Sequence, residues 1–423
     1  MSTDLNRRRC LQGLAGGTVF AAAAKSARAD NADVVYGKKT IPTGIRSRFA
    51  DGINGLKVHF LEAGFETPNR PLLLLLHGYP ELGYSWRKVM PPLAAAGYRV
   101  LAPDQRGFGQ TTGWDPSYDA DLSNFSTLQM VRDALSLVNA LGYHSVPGVI
   151  GHDAGSPIAA WCAIVRPDVF KSVVMMSAPF GGTPTLRFNQ ATLSIAEPQV
   201  KVMPPAPPPN LDQQLAALPR PRKYYQDYYR TRQANDDMLH APQGLHAFFR
   251  AYYYYKSADW KGNQPFPLKD RSGAEMAKMP TYYVMDRNKN MAETVAEHMP
   301  TVAEIASCKW LTEDDVDVYA SEYGRTGFQG GLQGYRRGTD PKSTAELLTF
   351  AGRTIDTPSM FIAGKSDWGV FQTAGAAERM QTTACTKMVG FHRVEAAGHW
   401  VQQEQPQQVS RLLLEFLRRS VPV

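Results

Sequence analysis

The segment Gly151-His152-Asp153-Ala154-Gly155 sets a carboxylate between small residues, after the apolar run Val146 to Ile150 and before a stretch containing Ala159, Ala160 and Ala163. Small residues on both sides permit the tight strand-to-helix turn that lifts a nucleophile clear of a sheet edge. A carboxylate is ionised at neutral pH, so Asp153 can attack an electrophilic carbon without prior deprotonation. Taken alone, the pattern serves as a helix N-cap about as often.

Position along the chain supplies the partners. Asp367 follows an apolar run in Gly364-Lys365-Ser366-Asp367, and His399 follows another in Ala397-Gly398-His399-Trp400. The order nucleophile, acid, histidine is that of a hydrolytic triad on a strand-and-helix frame. Other acids are less well placed: Asp104 follows an early strand beside Arg106, and Glu395 falls within the final strand. His59, His144, His152 and His392 read as packing or surface residues, and no spacing suits a metal. Upstream, Leu76-His77-Gly78-Tyr79-Pro80 ends a buried run, where a loop can offer a backbone N–H to an oxyanion. Tyr79 and Ala154 are the expected donors through their backbones, with His77 and Pro80 shaping the same loop.

These residues need a frame. From about Gly55, strand-like runs alternate with helical segments, the pattern of a mostly parallel sheet. Gly55 to Ala63, Leu72 to Leu76, Arg99 to Pro103, Val146 to Ile150 and Val173 to Ser177 read as successive strands. Leu72 to Leu76 and Val173 to Met176 are apolar without alternation, as in strands buried on both faces. After Pro179 come about 160 residues with a proline cluster (Pro204, Pro205, Pro207, Pro208, Pro209), tyrosine-rich stretches and no convincing strand. This reads as an inserted helical lid. Ser359 to Ala363 and Val389 to Glu395 resume the sheet, and a helix from Pro406 to Arg419 closes the chain. There is no internal repeat.

The motifs His77-Gly78-Tyr79-Pro80-Glu81, Tyr84-Ser85-Trp86-Arg87, Asp104 with Arg106-Gly107-Phe108-Gly109, Gly151-His152-Asp153 and Gly398-His399-Trp400 together resemble the soluble-type epoxide hydrolases. The resemblance covers nearly all of residues 46 to 420. It implies the α/β-hydrolase fold: an eight-stranded, mostly parallel sheet with flanking helices and an enlarged helical lid. The corresponding division is 30–181 and 342–423 for the core and 182–341 for the lid. In that family two lid tyrosines hydrogen-bond the epoxide oxygen. Tyr225-Gln226 matches the first, and Phe328-Gln329-Gly330-Gly331-Leu332-Gln333-Gly334-Tyr335-Arg336 matches the second, at Tyr335. The alternative is that these tyrosines only pack the lid, and Tyr224, Tyr228 and Tyr229 crowd the first position. Two departures stand out: Ala154 occupies a position often tryptophan in the family, and the stretch from Tyr252 towards Pro300 has no counterpart.

The chemistry implied is attack of Asp153 on an epoxide carbon, with Tyr225 and Tyr335 donating to the departing oxygen. Water activated by His399 and Asp367 then cleaves the ester to a vicinal diol, without metal or organic cofactor. A dehalogenase shares the aspartate, histidine and acid, but Ala154 provides neither a halide-binding tryptophan nor a carboxylate-binding arginine. A serine-type esterase is disfavoured by the aspartate. A non-catalytic ligand-binding relative would not need the whole triad.

The chain of 423 residues carries a net charge of +7. Arg7, Arg8, Arg9, Lys25 and Arg28 against Asp4 put +4 of it in the first 29 residues, which leaves +3 for the rest. That balance requires no polyanionic partner. Arg220, Arg222, Lys223, Arg230 and Arg232 interleave with tyrosines, yet read as solvated lid charges before they read as a nucleic-acid surface. Asn6-Arg7-Arg8-Arg9-Cys10-Leu11-Gln12 resembles a twin-arginine export signal, with a weakly apolar stretch to Ala24 and a cleavage pattern at Ala27-Arg28-Ala29. That stretch is too short to span a bilayer, so residues 1–29 are expected to direct export to the periplasm or beyond and to be removed, with no membrane anchor. Cys162, Cys308 and Cys385 then remain; a Cys308 to Cys385 bridge is possible, and three free thiols are equally compatible with the spacing.

Overall fold

A computed structural model describes residues 37, 39–185 and 210–420. The export-signal segment and the proline cluster lie outside the described residues. Eight strands form the main sheet: β1 (Ile45–Ile53), β2 (Leu56–Ala63), β3 (Leu72–Leu76), β4 (Arg99–Pro103), β5 (Gly148–His152), β6 (Val173–Met176), β9 (Ser359–Gly364) and β10 (Met388–Val394). Among the described residues two others, β7 (Arg222–Tyr224) and β8 (Val284–Asp286), lie in the lid. The order across the main sheet is β1-β2-β4-β3-β5-β6-β9-β10, antiparallel at the β1–β2 and β2–β4 pairs and parallel from β4 onward.

The unalternating apolar runs follow from burial on both faces. Leu72, Leu74 and Leu76 pack on one side with Val149, Val173 and Met175, against the helices Thr127–Ala140 and Gly155–Val165. Leu73 and Leu75 pack on the other with Ile150, Val174 and Met176. On that second side the core continues without a break into the lid aromatics Tyr225, Tyr252, Phe248 and Tyr319. Burying each such side chain contributes roughly 1.5–3 kcal/mol, so the lid is held by the same apolar core that holds the sheet.

The lid is inserted between β6 and β9 and is chiefly helical. Its helix Glu313–Thr326 starts with a capping box between Thr312 and Asp315. Asp315 also pairs with Arg87 at 2.9 Å and accepts from the Tyr84 hydroxyl at 2.6 Å, which ties the lid to the loop after β3.

Three differences from the sequence expectations have physical causes. The sheet begins ten residues earlier than Gly55, because β1 folds back on β2 through Asn54 and Gly55, both with positive φ. As a half-exposed edge strand with a register shift after Ala50, β1 lacks a clean alternation. The lid does contain strands: β7 pairs antiparallel with β8, held by Arg222 to the Val284 and Met285 carbonyls and by Arg220 to Asp286 at 2.6 Å. Polar contacts of this kind leave no apolar pattern. Finally, β5 runs Gly148–His152, two residues later than Val146 to Ile150, since Val146 makes only an isolated bridge to Phe170.

Cys162, Cys308 and Cys385 are free thiols. Among the described residues no helix is long and apolar enough to cross a membrane, and no cluster of acidic, histidine or cysteine side chains could hold a metal ion.

Candidate active site

Asp153 sits at the end of β5 with φ of 46°, a left-handed conformation that a non-glycine residue adopts only where the surroundings enforce it. The turn closes tightly: a Cβ on Gly155 would lie 2.4 Å from the Leu76 carbonyl oxygen and 2.6 Å from that of His77. No larger residue fits there. The side chain of Asp153 is therefore lifted off the sheet edge, 17% exposed, into a cavity of about 360 Å³ beneath the lid.

His399 and Asp367 reach the same point from the ends of β10 and β9. Nδ1 of His399 lies 3.1 Å from Oδ1 of Asp367, and that oxygen also accepts from the Gly369 N–H at 2.7 Å. A carboxylate on Nδ1 favours the proton there, so Nε2 is the basic nitrogen. Nε2 lies 3.6 Å from Oδ1 of Asp153 and has no hydrogen-bond partner among the described residues. Every other polar group of His399 is occupied. Its N–H donates to the Lys256 carbonyl at 2.9 Å, while its own carbonyl accepts from Ser177 Oγ at 3.0 Å and pairs with His152 Nε2 at 2.7 Å.

The other carboxylate oxygen, Oδ2 of Asp153, accepts from the Tyr79 N–H at 2.9 Å. Ala154 starts the helix Gly155–Val165 as its N-cap residue. Burial raises the Asp153 carboxyl pKa, but His399 reverses this, with Lys256 and His152 behind it, and the net result is well below the ordinary carboxylate range.

The lid brings two hydroxyls to the cavity. Tyr335 belongs to the helix Gln329–Arg336, which docks glycine against glycine: a Cβ on Gly330 would lie 2.1 Å from the Gly107 carbonyl oxygen. Tyr225 starts the short helix Tyr225–Tyr229 after β7, and its ring lies 5.9 Å from that of Tyr335. Both rings line the cavity together with Asp153, whereas Tyr224, Tyr228 and Tyr229 do not. Tyr228 donates to Asp237 at 2.9 Å, and Tyr229 pairs with Tyr252 at 3.2 Å. The Tyr225 oxygen accepts from Gln372 at 2.9 Å and from Gln226 at 3.2 Å, which leaves its own proton for the cavity. Burial raises both hydroxyls well above their ordinary pKa, with nearby Asp153 adding to the effect, so both remain protonated donors.

His77 lines the cavity with both ring nitrogens engaged, Nδ1 with the Gly78 carbonyl and Nε2 accepting from the Gln105 N–H. Pro80 is not part of the lining, and its carbonyl accepts from the lid residue Tyr253 at 2.9 Å. Asp104 is a scaffold acid, 2.8 Å from His59 and accepting from the Gly83 N–H at 2.9 Å.

The alpha/beta hydrolase fold family model matches residues 71–406. The chain belongs to the alpha/beta hydrolase fold family. Among similar members of that family, epoxide hydrolase B of Mycobacterium tuberculosis (strain ATCC 25618 / H37Rv) is 29% identical over 364 residues, covering 86% of this chain and 96% of the relative. An epoxide hydrolase of Caballeronia sordidicola is also 29% identical, over 366 residues, covering 86% and 92%. Among solved structures, an epoxide hydrolase from an endophytic Streptomyces superposes with a TM-score of 0.67 at 29% identity, covering 89% of this chain and 96% of the other. Potato (Solanum tuberosum) epoxide hydrolase I gives 0.64 at 26% identity, covering 89% and 99%.

Around the triad this alpha/beta hydrolase carries a polar shell that sequence reasoning missed. His152 is fully buried, with Nδ1 2.6 Å from Glu81, so it orients the His399 carbonyl and is not mere packing. Glu404 accepts from the N–H groups of Ala258, Gly398 and Trp400 at 2.9, 2.8 and 3.0 Å, joining the lid to both neighbours of His399. Lys256 is 4% exposed and lies 5.0–5.8 Å over the rings of Tyr252, Tyr282, Tyr283 and Trp400. Contacts of this type contribute about 0.5–2 kcal/mol each, against several kcal/mol for burying an ammonium. At longer range Asp153, Asp367 and Glu81 offset part of the lowering of its pKa by burial. Glu81 and His152 fall within recognisable motifs, but nothing local pairs them, since they are 71 positions apart. The lid arginines, expected as solvated charges, meet carboxylates: Arg220 and Arg222 meet Asp286, Arg230 meets Asp227 and Arg232 meets Asp119.

Proposed function

We propose that this chain is an epoxide hydrolase that forms a vicinal diol through an ester on Asp153. One observation carries the reading: two protonated hydroxyls, Tyr225 and Tyr335, share the cavity with an ionised Asp153. A carboxylate alone displaces many leaving groups; paired hydroxyl donors suit one that departs as oxygen. The named epoxide hydrolases to which the chain is similar support the same reading.

In the first step Oδ1 of Asp153, the oxygen not held by Tyr79, attacks a ring carbon and the carbon–oxygen bond breaks. The departing oxygen takes a proton from Tyr225 or Tyr335 while the other hydroxyl donates to it. The result is a hydroxyalkyl ester. In the second step Nε2 of His399 removes a proton from water as its oxygen adds to the ester carbon, and Asp367 stabilises the imidazolium. The Tyr79 N–H, already on Oδ2, holds the developing oxyanion together with the Ala154 N–H at the helix start. Collapse releases the diol and regenerates the carboxylate. The proton on His399 returns to the tyrosinate, so one water is consumed per epoxide. No metal or organic cofactor enters these steps.

The side chain of Ala154 offers no donor for a halide, and among the described residues no tryptophan lines the cavity. A panel of epoxides mixed with His399→Gln protein and followed by intact mass tests the assignment. An adduct of one substrate mass, absent in Asp153→Asn protein, is expected; no adduct with any epoxide would overturn it. Export through residues 1–29 stands as a separate proposal supported by Arg7-Arg8, tested by whether Arg7→Lys/Arg8→Lys protein accumulates unprocessed.

A further inference from the structure

Among the described residues three arginines line the cavity, and two are committed elsewhere. Arg106 holds Asp133 through Nε and Nη2 at 2.8 Å each. Arg230 holds Asp227 at 2.8 Å and the Tyr335 carbonyl at 3.1 Å. The side chain of Arg337, the third, has neither a hydrogen bond nor an ion pair among the described residues, although it lies against the same cavity as Asp153 and Tyr335. It directly follows the helix Gln329–Arg336, so the peptide segment that places Tyr335 also places it. Arg337 is half-buried; burial lowers its pKa to about 10, only partly offset by Tyr335, and among the described residues no carboxylate pairs with it.

An unpaired cation at a cavity wall gains when a ligand supplies an anion. The planar fork of a guanidinium matches a carboxylate through two parallel hydrogen bonds. Asp153 lies in the same cavity and repels an anion, so the two charges give a ligand one orientation: neutral electrophile at Asp153, anion at Arg337. We propose that Arg337 binds the carboxylate of the substrate, and that the substrate class is epoxides bearing a carboxylate away from the ring. The proposal rests on the epoxide reading for the reaction and adds what the cavity selects beyond the ring.

The test uses a matched pair, an epoxide with a terminal carboxylate and its primary amide, with the wild-type chain and the Arg337→Met and Arg337→Lys proteins. The expected wild-type preference in kcat/KM for the carboxylate is about tenfold or more, the range of one charge-assisted pair. It should fall to within about twofold in Arg337→Met and be partly kept in Arg337→Lys. Equal turnover of carboxylate and amide by the wild type, or a preference that survives Arg337→Met, would overturn the proposal. Binding of a saturated alkanoate, read by calorimetry, separates it from the epoxide reading. Alkanoate binding lost in Arg337→Met supports the site even if no epoxide turns over. Turnover of neutral epoxides with no alkanoate binding sinks the site and leaves the reaction standing.

Discussion

Gln372 donates to the hydroxyl oxygen of Tyr225 at 2.9 Å and, with the same amide nitrogen, to that of Tyr224 at 2.6 Å. An accepted hydrogen bond fixes the hydroxyl rotor and points its proton into the cavity. Gln372→Leu should therefore slow ester formation by about tenfold, the worth of one such bond. In Tyr225→Phe protein the same change should add little, because contacting groups in one network are not additive. Single-turnover rates for the four proteins check this; full additivity would show that Gln372 does not act through Tyr225.

Replacing either tyrosine by phenylalanine removes one of two donors to the departing oxygen. We expect ester formation to fall about 10- to 100-fold in each single variant, and by about 10³-fold or more in the double, within the range of general acid catalysis. Rapid-quench intact mass is the measurement. Ester hydrolysis should be nearly unchanged in the singles, since neither hydroxyl is assigned to that step.

The pH dependence of the first step follows from the shifted groups. Asp153 lies well below the usual carboxylate value and both tyrosines well above the usual phenol value. Ester formation should then be flat between roughly pH 5 and pH 9. The sign for stability is the same: a depressed carboxylate contributes above its unfolded value of about 3.9, and the contribution is lost as pH falls through the lower folded value. Lys256→Met should let the Asp153 pKa rise and narrow the acid side of the plateau. A fall with a midpoint near pH 5 in wild-type protein would contradict the assignment.

Gly398→Ala should separate the two steps. The added Cβ would sit 2.5 Å from the Ser257 carbonyl carbon and 2.6 Å from the Lys256 oxygen, so the loop holding His399 must shift. Overpacking of this kind costs about 1–3 kcal/mol of stability. Displaced His399 should hydrolyse the ester slowly while Asp153 still forms it, and a persistent adduct by intact mass is the expected outcome. Equal slowing of both steps would mean that the strain reaches Asp153 as well.

Much of this architecture is legible in the sequence because it obeys local rules. Strands buried on both faces read as unbroken apolar runs, and the triad residues stand just after such runs. The lid tyrosines are less accessible: Tyr225 differs from Tyr224, Tyr228 and Tyr229 in lining the cavity, which depends on how β7 and the helix after it are placed in three dimensions. Edge strand β1 and the pair β7–β8 are stabilised by pairing and polar contacts, so no period announces them. Lys256, Glu81 with His152, and Glu404 carry no spacing signal, because their partners come from distant segments. Arg337 is adjacent to a recognisable motif, yet that no carboxylate among the described residues pairs with it is visible only in three dimensions.

The three backbone bonds to Glu404 and the bond from His399 to Lys256 make the end of one lid helix part of the histidine's own support. A cover attached only by a hinge could be exchanged between relatives to alter what enters while the catalyst stayed as it was. Here ancestry cannot trade the two separately. Any lid transplanted from a relative must bring a carbonyl to the place of Lys256 and an N–H to the place of Ala258, or the recipient inherits a new selectivity with a misplaced base.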